Sequence, residues 1–550
     1  MEQLIAGQRA WWVIGALAAL AALSGVFTVQ PLDRDEARYA QATTQMLESG
    51  DYIDIRFQDA ERYKKPVGIY WLQALSVGLL SDADARQIWA YRLPSVIGAM
   101  LAALGCFWAG IRLMNRETAF VAASLFAVSA LLAAEGGIAK TDAMLAGATT
   151  LAMAALIQLR HGGGRWNSVV FWAMLGLGVL IKGPVTPMVV GLTAVTLIIW
   201  ERRVDWLKPL LFWPGPVLAA LIVIPWFAAI QIQSGGGFIL AAFFDDLAPK
   251  LSTGDESHGA WPGYHLLTLS VLSVPFIFFL VPGIWKVIDY LRGENAEAAK
   301  ALRFLICWII PSWVVFELMP TKLPHYTLPL YAALALVAGL GWQSLRIAPA
   351  WSRYLSLILG TLGSIVLGAL IIIAVTTYGG ENFIAFGAAG ILGLLAIGFT
   401  VEVFRQRTTS AWLLAILTGL SWQIMMRGVA IPNAPDLDLA RQAARAAEEL
   451  IEASGQMPST ILSSYTEPSL VFAMGTDIQL LEFEQMGERL ANTDGMILSI
   501  EDTSRSGSEI AALEMLEANV CAMREVSGYN YSRGNETVLI VRLHNCEHEG

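Results

Sequence analysis

The sequence predicts a polytopic α-helical membrane protein of about 13 transmembrane helices, followed by a small soluble α/β domain. Three observations predict it. Hydrophobic residues make up 55% of the 550, charged ones only 15%, and the mean hydropathy is +0.54; an ordinary soluble domain carries about 25% charged residues. Apolar stretches of the roughly 17–25 residues that a bilayer demands recur through the first 430 positions. Lys and Arg then gather in every second loop between them. The net charge of −10 and pI of about 5.2 give no electrostatic reason for a nucleic-acid partner. Four Cys exclude a disulfide scaffold and any zinc-ribbon spacing.

The spans fall near 11–29, 93–111, 118–134, 142–159, 168–181, 184–200, 209–230, 264–284, 301–319, 327–345, 352–376, 382–404 and 410–428. The first has no convincing small-residue cleavage site after it and reads as an uncleaved helix. The run Pro66 to Leu80 is short, and it reads as a re-entrant or interfacial helix with Tyr70 and Trp71 at headgroup level. With a cytoplasmic N-terminus, the inner loops carry Arg112 and Arg116, Arg160 and Arg165, Arg202, Arg203 and Lys208, and so on to Arg405 and Arg407. The outer loops carry about one surplus cation each, at Lys140, Lys182, Lys250 and Lys322. This is the positive-inside pattern. Counting 66–80 as a full span would invert every later loop and destroy it.

Residues 1–430 therefore form the membrane domain and 431–550 a soluble one on the outer side. In the latter, Asp436 to Ser454 is an amphipathic helix, short apolar runs at 461–462, 478–483, 496–500 and 538–543 are strands, and Ser508 to Glu517 is a second helix. Cys521 and Cys546 both lie there, as a disulfide or as free thiols.

The chemically capable residues cluster in the outer loops. The first loop, about 30–92, holds Asp33, Asp35, Glu36, Arg38 and Tyr39, then Arg62, Tyr63, Lys64 and Lys65. Later loops bring Glu135, Lys140 and Asp142, then Lys182 before Gly183-Pro184, then Asp245, Asp246, Lys250, Asp255, Glu256 and His258, then Lys322, His325 and Tyr326. Ionisable groups at membrane depth are costly and mark function by default, and here they favour one face. Each also has a plainer reading. Asp33 and Glu36 fit a capping box. Asp35 shares a face with Arg38 and Tyr39, where an ordinary solvated ion pair is common. Lys64 and Lys65 suit snorkelling anchors, Asp142 suits an N-cap, and His258 suits a plain loop. Gly178 to Gly183 lacks the Lys and Ser/Thr of a phosphate loop, and no GxSxG supports serine hydrolysis.

The ordered set Asp35-Glu36-x-Arg38-Tyr39, Arg62-Tyr63-x-Lys65-Pro66, Tyr70-Trp71, Ala139-x-x-Asp142 and Val179-Leu180-x-Lys182-Gly183 resembles the C-type glycosyltransferases that use polyprenyl-phosphate sugars, including protein O-mannosyltransferases. Within these it looks most like the lipid A aminoarabinose transferases of Gram-negative bacteria. Those relatives tend to carry an acidic residue at Lys64 and Leu-Asp-Pro at Thr141-Asp142-Ala143, and the C-terminal domain matches poorly.

The resemblance implies a monomeric inner-membrane enzyme with a GT-C fold and its active site facing the periplasm. It would move 4-amino-4-deoxy-L-arabinose from an undecaprenyl phosphate-linked donor to lipid A, among membrane lipids, and so give polymyxin resistance. Asp35 and Asp142 would be catalytic. Arg38, Lys65, Tyr326 and Lys182 would clamp the lipid phosphate, with Glu36, Tyr39, Arg62, Lys140 and His325 in support. No cofactor is required; for a divalent metal such as zinc, the candidates are Glu256 and His258. The rival readings are a transferase acting on protein or another glycan, and a transporter, which would need a partner for the Gly183-Pro184 break.

Overall fold

Each of the 13 apolar stretches holds helix in the computed structural model, which describes residues 2–32, 34–242, 244, 248, 259–293, 296–503 and 519–546. Among these, seven helices are long and apolar enough to cross a membrane, or eight if a bent pair counts as one. That pair is Arg116–Ala127 and Ala130–Gly136, which the apolar pattern reads as a single straight span, and it bends by 56°. The second limb ends at Gly136, where the sequence turns back toward Asp142. The 264–284 stretch also breaks, into Tyr264–Leu272 and Ile277–Arg292. Pro275 lies at the break, and proline disfavours helix in the residue before it.

Small residues set how closely the helices pack. A Cβ on Gly98 would lie 2.5 Å from the Met144 backbone, and one on Gly147 would lie 2.7 Å from the Gly98 carbonyl oxygen. Helices Ile88–Leu113 and Asp142–Arg160 therefore touch backbone to backbone, the usual way membrane helices gain dispersion contact.

The run read as interfacial is helix Gly68–Leu80. Trp71 is partly exposed, but Tyr70 is fully buried, with its ring 5.3 Å from that of Tyr39. Tyr70 is thus a core residue rather than a headgroup anchor. Gly68 lies against the Leu180 carbonyl, and this holds the helix to the end of Trp166–Lys182.

Beyond residue 437 a five-stranded sheet forms. Its spatial order is Gln479–Leu480, Thr460–Ser463, Ile497–Asp502, Asn535–His544, Val520–Asn530. The first three strands are parallel and the last two form an antiparallel hairpin. Helix Leu439–Ser454 packs Leu439, Ala443, Ala446, Ala447 and Leu450 against Leu498, Ile500, Leu539 and Val541. These helix positions recur at three- and four-residue steps, as an amphipathic stripe must. The sequence reading missed the long strand Val520–Asn530 and the helices Pro468–Met474 and Phe483–Ala491. The predicted helix at 508–517 lies outside the described residues. Cys521 and Cys546 are disulfide-bonded.

Candidate active site

Helices Asp142–Arg160 and Trp166–Lys182 are of similar length and are joined by the turn at His161–Gly164, so they run antiparallel. The start of one must therefore meet the end of the other. Asp142 stands in a first turn, where the helix dipole favours an anion, and Lys182 in a last turn, where it favours a cation. The Lys182 Nζ lies 2.5 Å from Asp142 Oδ1. Thr141 Oγ1 donates to Asp142 Oδ2 at 3.3 Å, and His325 Nε2 lies 3.7 Å from that same oxygen. Asp142 is thus the hub of a polar cluster. No side chain caps its helix, and the N-cap reading of Asp142 is corrected accordingly.

His325 and Tyr326 arrive on the short 3-10 segment Pro324–Leu330. Burial lowers the His325 pKa to about 3; the Asp142 carboxylate pulls it up, while Lys182 and Lys140 push it further down. The Lys182 ammonium stands over the Tyr326 ring, 5.4 Å from its centre. Glu135 completes this wall, with Oε1 3.6 Å from His325 Nδ1.

Helix Arg34–Ser49 supplies the facing wall. Asp35 is about half exposed, at 48%, and its Oδ1 lies 3.8 Å from Arg38 Nη1. Burial raises its pKa, but Lys140, Arg62, Arg38 and His325 together outweigh burial and hold the carboxyl below its ordinary range. Those four names place the outer-loop motifs around one carboxylate. The Arg62 guanidinium stacks over the Tyr39 ring at 5.2 Å. Lys65, predicted for the phosphate clamp, is half-buried, with its ammonium donating to the Lys64 carbonyl at 2.9 Å.

Glu36 does not serve a capping box. It is 2% exposed and bound by Arg92, Nε to Oε1 at 2.8 Å and Nη2 to Oε2 at 2.9 Å. Its Oε1 also accepts the Ala139 amide at 2.7 Å. Asp33, the other half of the predicted box, lies outside the described residues. Arg92 further donates to the carbonyls of Val26 and Val29, at 2.9 and 2.6 Å. One buried ion pair thus fixes the first outer turn, the start of the Asp35 helix and the loop carrying Lys140.

Arg427 does related work on the other side of that loop. It donates to the carbonyls of Ala133, Ala134 and Gly137, at the C-terminal end of Ala130–Gly136. There a cation also suits the helix dipole. The sequence reading passed over Arg92 and Arg427. The signal was present, since each is a lone arginine inside or at the edge of an apolar stretch.

Among the described residues, Glu135, Asp142 and His325 could hold a metal ion, their ligand atoms lying within 4.8 Å of one another. The donor types fit zinc, but Lys182 already places a positive charge on Asp142. The predicted metal candidates Glu256 and His258 lie outside the described residues, as do Asp245, Asp246, Lys250 and Asp255. Lys322 belongs to a different arrangement, donating to the carbonyls of Ala260 and Met319. A cavity of about 740 Å³ lies in the sheet region beside Gln456 and Asn545, away from this cluster.

Residues 64–228 match the dolichyl-phosphate-mannose-protein mannosyltransferase family. The undecaprenyl phosphate-α-4-amino-4-deoxy-L-arabinose arabinosyl transferase of Erwinia tasmaniensis is 30% identical over 326 residues, 57% of this chain and 57% of that protein. The chain therefore spans little more than half the length of that relative. The enzyme of the same name from Edwardsiella ictaluri is 27% identical over 452 residues, 78% of this chain and 77% of its own. The crystal structure of ArnT from Cupriavidus metallidurans bound to undecaprenyl phosphate superposes with a TM-score of 0.74 at 17% identity, covering 96% of this chain and 97% of that one. The oligosaccharyltransferase of Archaeoglobus fulgidus follows at 0.54 and 10% identity, covering 99% and 75%. By sequence and by fold the chain is similar to the aminoarabinose transferases, and it has their C-type glycosyltransferase fold.

Proposed function

We propose that this chain moves 4-amino-4-deoxy-L-arabinose from undecaprenyl phosphate to a phosphate of lipid A, lowering the negative charge of that lipid and giving resistance to polymyxin and other cationic antimicrobial peptides. One observation carries the proposal. The ends of separate elements bring Asp35, Arg62, Lys140, Asp142, Lys182 and His325 together within a fold shared with a transferase solved bound to undecaprenyl phosphate.

The reaction is a direct displacement. An oxygen of the lipid A phosphate forms a bond to the anomeric carbon, and the bond to the undecaprenyl phosphate oxygen breaks with its electron pair. The charge that develops on the leaving phosphate needs positioned cations. Arg38, Arg62, Lys140 and Lys182 supply them, with Lys65 and Tyr326 at the margin of the clamp. A phosphate nucleophile is already ionised, so no strong base is needed. Asp35 is matched to that situation. A carboxyl held below its ordinary pKa is a poor proton acceptor but a permanent anion, suited to hold the ammonium of the amino sugar. Asp142 holds Lys182 in place. No metal is required, because the chain's own lysines and arginines provide the positive charge.

In this reading the chain is a monomer of the bacterial inner membrane. It crosses 13 times, residues 1–430 form the transferase domain, and residues 431–550 stand in the periplasm beside the active site. The positive-inside loops support this orientation, and so does the disulfide between Cys521 and Cys546, which suits an oxidising compartment. The family match at residues 64–228 favours a second reading, transfer to protein or another glycan. Expression in a Gram-negative strain lacking its own transferase separates the two. Extracted lipid A should gain the mass of aminoarabinose; unchanged lipid A with a newly glycosylated protein would support the second reading.

A further inference from the structure

The helix that carries Asp35 is gripped from outside the membrane domain. Glu467 is 3% exposed and takes Arg34 in a two-pronged pair, Nη2 to Oε1 at 2.9 Å and Nε to Oε2 at 3.1 Å. The same carboxylate accepts from Asn530 and from Arg533, each at 3.3 Å. Those partners lie at the two ends of the turn between strands Val520–Asn530 and Asn535–His544. Further along the helix, Gln41 donates to Thr476 Oγ1 at 2.8 Å, and Thr476 donates to Glu48 at 2.8 Å. The soluble domain thus holds helix Arg34–Ser49 at its first residue and again two to four turns on.

Asp35 stands between two fixed neighbours. Arg34 is bound by Glu467, and Glu36 is bound by Arg92. A side chain so flanked has little freedom to turn about the helix axis. We infer that Glu467 is a positioning residue for Asp35, through which the C-terminal domain aims the active-site carboxylate. The inference rests on the proposed function for its catalytic part, while the mechanical part stands on geometry alone. Glu467 is far along the chain and touches no reacting group. A two-pronged Arg–carboxylate pair fixes direction as well as distance, which a single ammonium contact would not.

The test uses the purified full chain as wild type, Glu467→Gln, Arg34→Gln and the double variant. Two readouts are taken, amide hydrogen exchange over residues 35–40 and transfer kinetics from the undecaprenyl-linked donor to lipid A. In Glu467→Gln, exchange at 35–40 should quicken by about tenfold while helix Ile88–Leu113 stays protected. The donor kcat/KM should fall by about a hundredfold, as expected when a group that orients the sugar is misplaced, with the lipid A KM within about twofold of wild type. Arg34→Gln, which opens the same pair from the helix side, should reproduce both changes, and the double variant should add little to either. Unchanged exchange at 35–40 overturns the inference whether or not the chain transfers aminoarabinose. Faster exchange with a normal donor kcat/KM overturns it too, because Asp35 would then need no aiming. A wild type that leaves lipid A unmodified contradicts the functional reading instead, and the exchange data still decide whether the clamp exists.

Discussion

Asp35 and Glu36 are neighbours with opposite environments. Asp35 is half exposed among Lys140, Arg62 and Arg38; Glu36 is sealed against Arg92 and the Ala139 amide. Asp35→Asn should therefore abolish transfer without lowering the melting temperature, a comparison that activity assays and thermal melts make directly. Glu36→Gln should act through stability, and by more than a lost cap. Leaving Arg92 buried without its anion should cost about 3–5 kcal/mol, against the roughly 1 kcal/mol of a broken capping box. Arg92→Ala should cost a similar amount, and the double variant much less than the sum. Denaturation of the purified variants checks this, and equal, additive losses of about 1 kcal/mol would restore the capping reading. Sequence alone placed Asp35 on one helix face with Arg38. It hid the partner of Glu36, because Arg92 is 56 residues away and pairs only once two helices pack.

At the scale of elements, the cluster is a meeting of helix ends. The turn at His161–Gly164 makes the Asp142–Lys182 pair, and the bend after Ala127 delivers Glu135 to His325. Because Lys182 supplies the charge beside Asp142, chelation with EDTA should leave turnover unchanged. Loss of activity on chelation and its return with zinc would instead assign an ion to Glu135, Asp142 and His325. The grip of the C-terminal domain has its own pH signature. Burial raises the Glu467 pKa, but Arg34, Asn530 and Arg533 outweigh it, so the folded value lies below the ordinary 4.5. A carboxylate depressed in the folded state stabilises fully above its unfolded value and stops doing so as pH falls through the folded one. Thermal stability should thus decline below about pH 4.5, and Glu467→Gln should flatten that decline. The amphipathic helix and most strands of this domain were legible from period and length. The strand Val520–Asn530 was not, because Arg524, Glu525 and Asn530 break its apolar pattern and its outer face is solvated.

For the whole molecule, apolar runs and loop charges were enough to indicate a multi-span helical body, while the bends and the contacts between its two parts depend on packing over hundreds of residues. The orientation makes a prediction of its own. Cysteines placed in the 112–116 loop should resist a membrane-impermeant reagent in intact spheroplasts, and one near residue 380 should react; the reverse pattern would invert the topology. The chemistry is tested most directly by reconstitution. Purified wild type and Asp35→Asn would be placed in vesicles with undecaprenyl phosphate-linked aminoarabinose and lipid A, and the lipid product weighed by mass spectrometry. Transfer of one aminoarabinose to lipid A by the wild type, with none by Asp35→Asn, is the predicted result. Intact lipid A beside a consumed donor, or full transfer by Asp35→Asn, would contradict it.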